Sequence, residues 1–201
     1  YKVGKRKYKL FTFSKIYGKF KIDRERKTID FFDNAHFTIS SLENKFLSYL
    51  ATNVIEKDNF KFGNNIVNVN SIETVNNKIS EREEVYTKSP IVMYSTFKNY
   101  KGNKTYYYSP LEREFSELIR KNLIHKYEAY YNKLPLRDDF SISPINKKGL
   151  KERVVIYKDY VIKGWDGEFL LEGSEELMNI AYNAGIGSKN SQGFGCVEIK
   201  K

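Results

Sequence analysis

The sequence predicts an α+β protein of two tandem ferredoxin-like (RRM-like) βαββαβ units, the first lacking its opening strand and helix. Three observations carry this. Two separate helix-start signals each sit between strand-like runs. The order of the runs after residue 85 is β, α, β, β, α, β. The length of 201 residues suits two domains of about 100 each. With 40% hydrophobic and 15% aromatic residues the chain is globular rather than disordered.

Residues 9–20, KLFTFSKIYGKF, are aromatic and β-branched with partial alternation, and residues 28–40 repeat that character after a charged turn over 23–27. This pattern predicts two strands of a hairpin. Lys9 shares strand parity with Phe11 and Phe13 and is expected to point with them toward the aromatic, buried side. Ser40-Ser41-Leu42-Glu43 has the capping-box pattern, and Leu42, Phe46, Leu50 and Val54 recur every four residues, so a helix is expected up to Asp58-Asn59. A strand over 65–75 follows. Residues 1–78 thus form an N-terminal domain of order β, β, α, β, and the polar stretch 76–84 reads as a linker.

Strand character resumes at Val85. Ser109, Pro110 and Glu112 mark a helix start, with Leu111, Phe115, Leu118, Ile119 and Leu123 on one side of a helix running to about Asn132. Strands over 140–145 and across 153–171, a helix capped by Ser174 and ending at Gly185, and a last strand over 196–200 complete a C-terminal domain at 85–201. If both halves share one order, the first lacks a strand and a helix, about 25 to 30 residues by usual element lengths. Those are expected upstream of Tyr1.

The formal net charge of +10 argues for a polyanionic partner, because Lys and Arg gain affinity by releasing counterions from phosphates. Residues 1–27 hold eleven basic side chains against Asp23 and Glu25, so this short stretch carries most of the charge. A lysine-protected edge strand is the alternative explanation. A second basic group, Lys147, Lys148, Lys151, Arg153, Lys158 and Lys163, lies near Tyr157, Tyr160 and Trp165, which offer faces for base stacking or, for Trp165 above all, for the core. An acidic membrane surface is a poorer partner than nucleic acid, since neither longer helix has a lysine-rich face opposite a broad apolar one. No apolar run reaches the roughly 20 residues that span a bilayer. The single cysteine, Cys196, points to a reducing cytoplasm, and no Cys/His cluster has metal-ligand spacing.

The sharpest local signal is residues 185–195, with Gly185, Gly187, Gly193 and Gly195 around Lys189, Asn190 and Ser191. Glycines allow the backbone to turn and to present N–H groups to an anion. The loop departs from a dinucleotide fingerprint, whose third glycine would fall at Asn190, and it lies between helix and strand, the reverse of that motif. A plain glycine-rich connection is the other reading. His36 and His125 both read as surface or satisfied histidines, and no hydrolytic triad is evident.

Taken together, Lys7-Tyr8-Lys9-Leu10-Phe11-Thr12-Phe13-Ser14, the stretch Tyr106-Tyr107-Tyr108-Ser109-Pro110-Leu111-Glu112, the residues Val161-Ile162-Lys163-Gly164-Trp165 and the glycine loop resemble the CRISPR-associated repeat-cleaving endoribonucleases, the sixth Cas family of the RAMP superfamily. The resemblance spans essentially the whole chain. It implies metal-independent cleavage of CRISPR precursor RNA, without a cofactor, by attack of a ribose 2′-OH that leaves a 2′,3′-cyclic phosphate. It implies Lys9 as a catalytic cation and an acid–base histidine upstream of residue 1, a role that His36 and His125 do not match. Expected RNA contacts are Lys5, Arg6, Lys7, Lys163, Gly187, Lys189, Asn190, Ser191, Gly193 and Gly195. The expected partners are CRISPR repeat RNA, single-stranded or hairpin, and a CRISPR effector complex. The alternative is a non-catalytic RNA-binding platform of the same superfamily.

Overall fold

The structure, a computed structural model, describes residues 1–4, 6–57, 59–100, 102–157 and 160–200. β1 (Lys2–Val3) and β2 (Arg6–Lys7) form a short antiparallel hairpin. β3 (Phe11–Phe13), β4 (Phe20–Asp23), β5 (Thr28–Phe31) and β6 (Ile39–Ser41) then fold back as one interrupted antiparallel hairpin, β3 pairing with β6 and β4 with β5. The two runs expected as continuous strands are broken because their spacing is unequal. Phe13 faces Ile39, Tyr17 faces His36 and Phe20 faces Phe31, so the strands bulge on both sides of the central bridge. At the first break the Lys15 N–H leaves the hairpin to donate to the Lys88 carbonyl at 3.0 Å.

α1 (Asn44–Ile55) begins later than the capping box suggests. The Ser41 hydroxyl is spent on the Leu10 carbonyl and the Glu43 N–H, and the Glu43 carboxylate accepts from the Tyr1 hydroxyl instead of closing the box. Phe46 stacks on Phe11 with ring centroids 5.4 Å apart, yet no residue of α1 is fully buried. The helix stops at Ile55, and Asp58, expected at its end, lies outside the described residues. β7 (Phe60–Phe62) and β8 (Asn65–Val67) pair as a hairpin. The strand expected over 65–75 therefore ends at Val67, and residues 68–81 adopt neither helix nor strand.

The remaining elements are β9 (Arg82–Thr87), β10 (Tyr94–Asn99), β11 (Gly102–Tyr107), α2 (Arg113–Tyr131), β12 (Phe140–Pro144), β13 (Lys151–Tyr157), β14 (Tyr160–Asp166), β15 (Glu168–Gly173), α3 (Glu175–Ala184) and β16 (Val197–Ile199). β12, β15, β9 and β16 form an antiparallel sheet in that order, whereas β10–β11 and β13–β14 stand apart as hairpins. Sequence reasoning missed the β10–β11 hairpin. Ser109 and Glu112 do close half of their box, the Ser109 N–H reaching the Glu112 carboxylate, although the helix proper starts at Arg113, three residues after Pro110. Ser174 caps α3 by accepting from the Leu177 N–H.

The core lies between this sheet and the two helices, where Val85, Phe169 and Leu171 meet Phe115, Ile119 and Leu123 of α2 and Leu177, Met178 and Ile180 of α3, all with no exposed surface. Among the described residues no helix is long and apolar enough to cross a membrane. Truncating Phe115 to alanine should cost about 3–5 kcal/mol, the usual range for a buried aromatic. Phe46→Ala, at a side chain 37% exposed, should cost clearly less in the same denaturant titration. Equal losses would contradict the core placed here.

Candidate nucleic-acid interface

The loop over 185–195 is held both by its own residues and by distant segments. Backbone N–H groups of Ile186, Ser188, Gln192, Gly193 and Gly195 all donate to backbone carbonyls, at 2.7–2.9 Å. Five of the loop's eleven backbone N–H groups are thus already used, which leaves fewer for an anion than a free N–H cradle would offer. The Asn190 side chain is buried and donates to the carbonyls of Ile186 and Phe194, both at 3.0 Å. Gly195, at φ +73°, has no room for a side chain, since a Cβ there would stand 2.0 Å from the Ile186 oxygen. At Gly193, φ +85°, it would stand 2.7 Å from the Phe13 ring. The glycines therefore serve close packing and left-handed backbone.

Beneath the loop lies Lys126 of α2, 3% exposed, which sequence reasoning overlooked. Its Nζ donates to the carbonyls of Gly185 (2.7 Å) and Gly187 (3.0 Å) and to Asn190 Oδ1 (2.8 Å). Burial pulls its pKa from 10.5 down to about 7. The signal was available: Lys126 falls seven residues after Ile119 and three after Leu123, on the apolar face of the helix.

Of the RNA-contact residues expected from the sequence, Gly187, Asn190 and Gly195 are buried and act as scaffold, while Lys189, Ser191 and Gly193 reach the surface, with Gln192 beside them. Lys189 Nζ lies 5.2 Å above the Tyr94 ring. Ser191, Gln192 and Phe194 form one wall of an open cleft of about 310 Å³, and Phe13, Val155, Tyr157 and Ile162 form the others. The β13–β14 hairpin so joins β3 and the loop. Asp166, its carboxylate only 14% exposed, binds Lys15 (2.6 Å) and Arg153 (2.7 Å) together and so ties the N-terminal hairpin to the β13–β14 hairpin.

Lys163 is paired with Glu152 at 2.9 Å, so it is less available to phosphates than the sequence implies. Lys7 and Lys9 are exposed and make no ion pair among the described residues. The burial expected for Lys9 is corrected. Lys9 does share a side with Phe11 and Phe13, but that side is the outer, half-buried one; Leu10, Thr12 and Ser14 form the buried side, where Thr12 Oγ1 donates to the Phe194 carbonyl at 2.9 Å. Lys5 and Lys158 lie outside the described residues, and Arg6 is described only as part of β2. His36 is exposed and stacks on Tyr17, with centroids 5.8 Å apart; His125 is half-buried on α2. The Cys196 thiol is buried and pushed up to about 12 by that burial, which suits packing rather than nucleophilic chemistry. Among the described residues no group of His, Cys, Asp and Glu is placed to hold a metal ion.

Unpaired surface lysines and an aromatic cleft around a rigid glycine loop define a class of protein suited to a polyanion with stackable bases. The comparisons with known proteins narrow that class. Residues 71–199 match the family described as CRISPR associated protein Cas6, C-terminal. The CRISPR-associated endoribonuclease Cas6 1 of Methanocaldococcus jannaschii is 30% identical over 198 residues, covering 95% of this chain and 74% of that protein. A solved Cas6-related protein from Pyrococcus furiosus superposes with a TM-score of 0.84 at 28% identity, over 96% of this chain and 79% of its own. A solved RAMP protein described as binding different RNA substrates gives a TM-score of 0.76 at 25% identity, over 96% and 80%. The chain belongs to the Cas6 family.

Two outcomes follow from this geometry. Gly195→Ala should destabilise the fold by more than the roughly 1–2 kcal/mol that left-handed backbone alone costs, measured by thermal or denaturant unfolding; an unchanged midpoint would contradict the packing. Between about pH 7 and 10.5 the unfolded chain holds a proton on Lys126 that the folded chain has released. Stability should accordingly rise with pH across that window relative to Lys126→Met, and be lowest, relative to that variant, below pH 7. A pH-independent difference would contradict the depressed pKa.

Proposed function

We propose that this protein is an endoribonuclease that cuts CRISPR precursor RNA within its repeats, on a scaffold of two tandem ferredoxin-like domains at 1–78 and 85–201. The single observation that carries this reading is the surface formed by Lys189, Ser191 and Gln192 beside the cleft of Phe13 and Tyr157, with the exposed Lys7 and Lys9 just before the adjoining strand. Family membership supports it, since relatives carry the name CRISPR-associated endoribonuclease. The strand order β12-β15-β9-β16, with α2 and α3 between successive sheet strands, supports the ferredoxin-like assignment of the second half.

The reaction is attack of a ribose 2′-OH on the neighbouring phosphate, giving a 2′,3′-cyclic phosphate and a 5′-OH. The 2′-oxygen loses its proton to a base as it bonds phosphorus, and the departing 5′-oxygen gains one from an acid. Lys9, exposed and free of ion pairs, stabilises the charge that develops on the phosphoryl oxygens. The acid–base group is a histidine on the segment preceding Tyr1, and the chemistry needs no metal ion. The RNA partner is a CRISPR repeat, single-stranded or hairpin, in the cytoplasm, and the product passes to a CRISPR effector complex. A second reading, a platform that holds guide RNA without cutting it, is favoured by one observation: the described histidines lie elsewhere, His36 against Tyr17 and His125 on α2.

With the natural residues before Tyr1 in place, repeat RNA should be cut in the presence of EDTA, and a 2′-deoxy nucleotide at the cut site should abolish the reaction. Lys9→Ala should slow cleavage by roughly a hundred-fold or more, in line with the loss of one oxyanion-stabilising group, and weaken binding far less. Binding without cleavage would favour the platform. Cleavage by residues 1–201 alone would move the active site to His36 or His125.

A further inference from the structure

Lys126 is a buried group that the proposed cleavage chemistry does not use. Its three partners, the carbonyls of Gly185 and Gly187 and Asn190 Oδ1, are all neutral acceptors. Three acceptors require three N–H donors, which only the ammonium form has; a neutral amine would leave one unmet. Asn190 cannot reverse its amide to help, because its Nδ2 is committed to the carbonyls of Ile186 and Phe194. The arrangement is thus fully satisfied only when Lys126 is a cation, and among the described residues no carboxylate pairs with it.

An isolated buried charge is costly to a fold. The elements packed on α2 do not relieve it. α3 brings Glu175 and Glu176, but Glu176 is engaged by Tyr127 and the N–H groups of Leu136 and Arg137. β12 has no ionisable side chain and β1 brings only Lys2. The loop itself adds Lys189, a like charge, and the helix adds His125 and Tyr130. The missing counter-charge has one open side, the loop surface that presents Lys189, Ser191 and Gln192.

Resting on the RNA-binding reading above, we propose that Lys126 is a positioning residue for RNA: its ammonium holds the glycine loop in the shape that meets the phosphate backbone, and the bound phosphates supply the counter-charge that the protein withholds. Lys126 touches no RNA in this account and acts through the loop. Because burial depresses its pKa to about 7, part of the free protein carries Lys126 neutral near neutral pH. Phosphates above the loop favour the charged form, so binding draws a proton onto the protein, and affinity falls as pH rises above the pKa of the free state.

The test is calorimetry of the full natural chain with repeat RNA from its own array, at pH 7.5 to 8.5 in buffers of different ionisation enthalpy. The expected result is uptake of a fraction of a proton per RNA bound. That uptake should persist in His36→Ala/His125→Ala and disappear in Lys126→Met, whose affinity should fall at least ten-fold. Uptake that vanishes with the histidines, or wild-type affinity in Lys126→Met, would overturn the proposal. Should Lys126→Met fail to fold, the wild type and the histidine variant decide alone, since binding without uptake overturns it equally. Absence of RNA binding by the wild type would instead sink the reading on which the proposal rests.

Discussion

The burial of the loop over 185–195 between β3 and α2 is the constraint on which the rest depends. A buried loop must satisfy its backbone polar groups, and here the partners come from distant parts of the chain. Thr12 of β3 donates to Phe194, Lys126 of α2 donates to Gly185 and Gly187, and the Cys196 carbonyl accepts from the Lys88 and Ser89 N–H groups. Bonds from both halves converge on one segment. With Asp166 bridging Lys15 and Arg153 and Leu10 buried in the main core, they fix the N-terminal hairpin against the C-terminal half.

That constraint divides labour within the loop. Residues that look inward, Asn190 and the glycines at 185, 187 and 195, give it a single shape. Residues that look outward, Lys189, Ser191 and Gln192, remain polar beside an aromatic cleft. A rigid support with adaptable polar tips loses little conformational entropy when a flexible strand is bound. The residues that make the loop rigid are thus distinct from those that face solvent.

The sequence made much of this legible where the signals are local. Ser174 and its apolar helix and the Ser109–Glu112 pair follow from capping and periodicity, and strand character over 153–171 was legible too, though not its division into the β13–β14 hairpin and β15. The glycine loop was recognisable as a special segment, but its use of N–H groups was not, because two of their acceptors, on Val92 and Pro90, are far away in the chain and the others depend on how the loop folds on itself. Lys9 was misplaced because the strand buries its hydroxyl-bearing side and not its aromatic one: Thr12 finds an acceptor on Phe194 and Ser14 on Lys15, while Phe11 and Phe13 stay half-buried. Lys126 stayed hidden because a lysine in a helix normally faces solvent, and only the carbonyls brought by the loop make its burial tolerable.

Hydrogen exchange of the full natural chain, with and without its repeat RNA, tests the central claim most directly. The account predicts protection by RNA at residues 188–193, at the start of β3 and along β13–β14, over a loop base that exchanges slowly even in the free protein. Protection confined to α1 and the β7–β8 hairpin, with the loop unaffected, would contradict it.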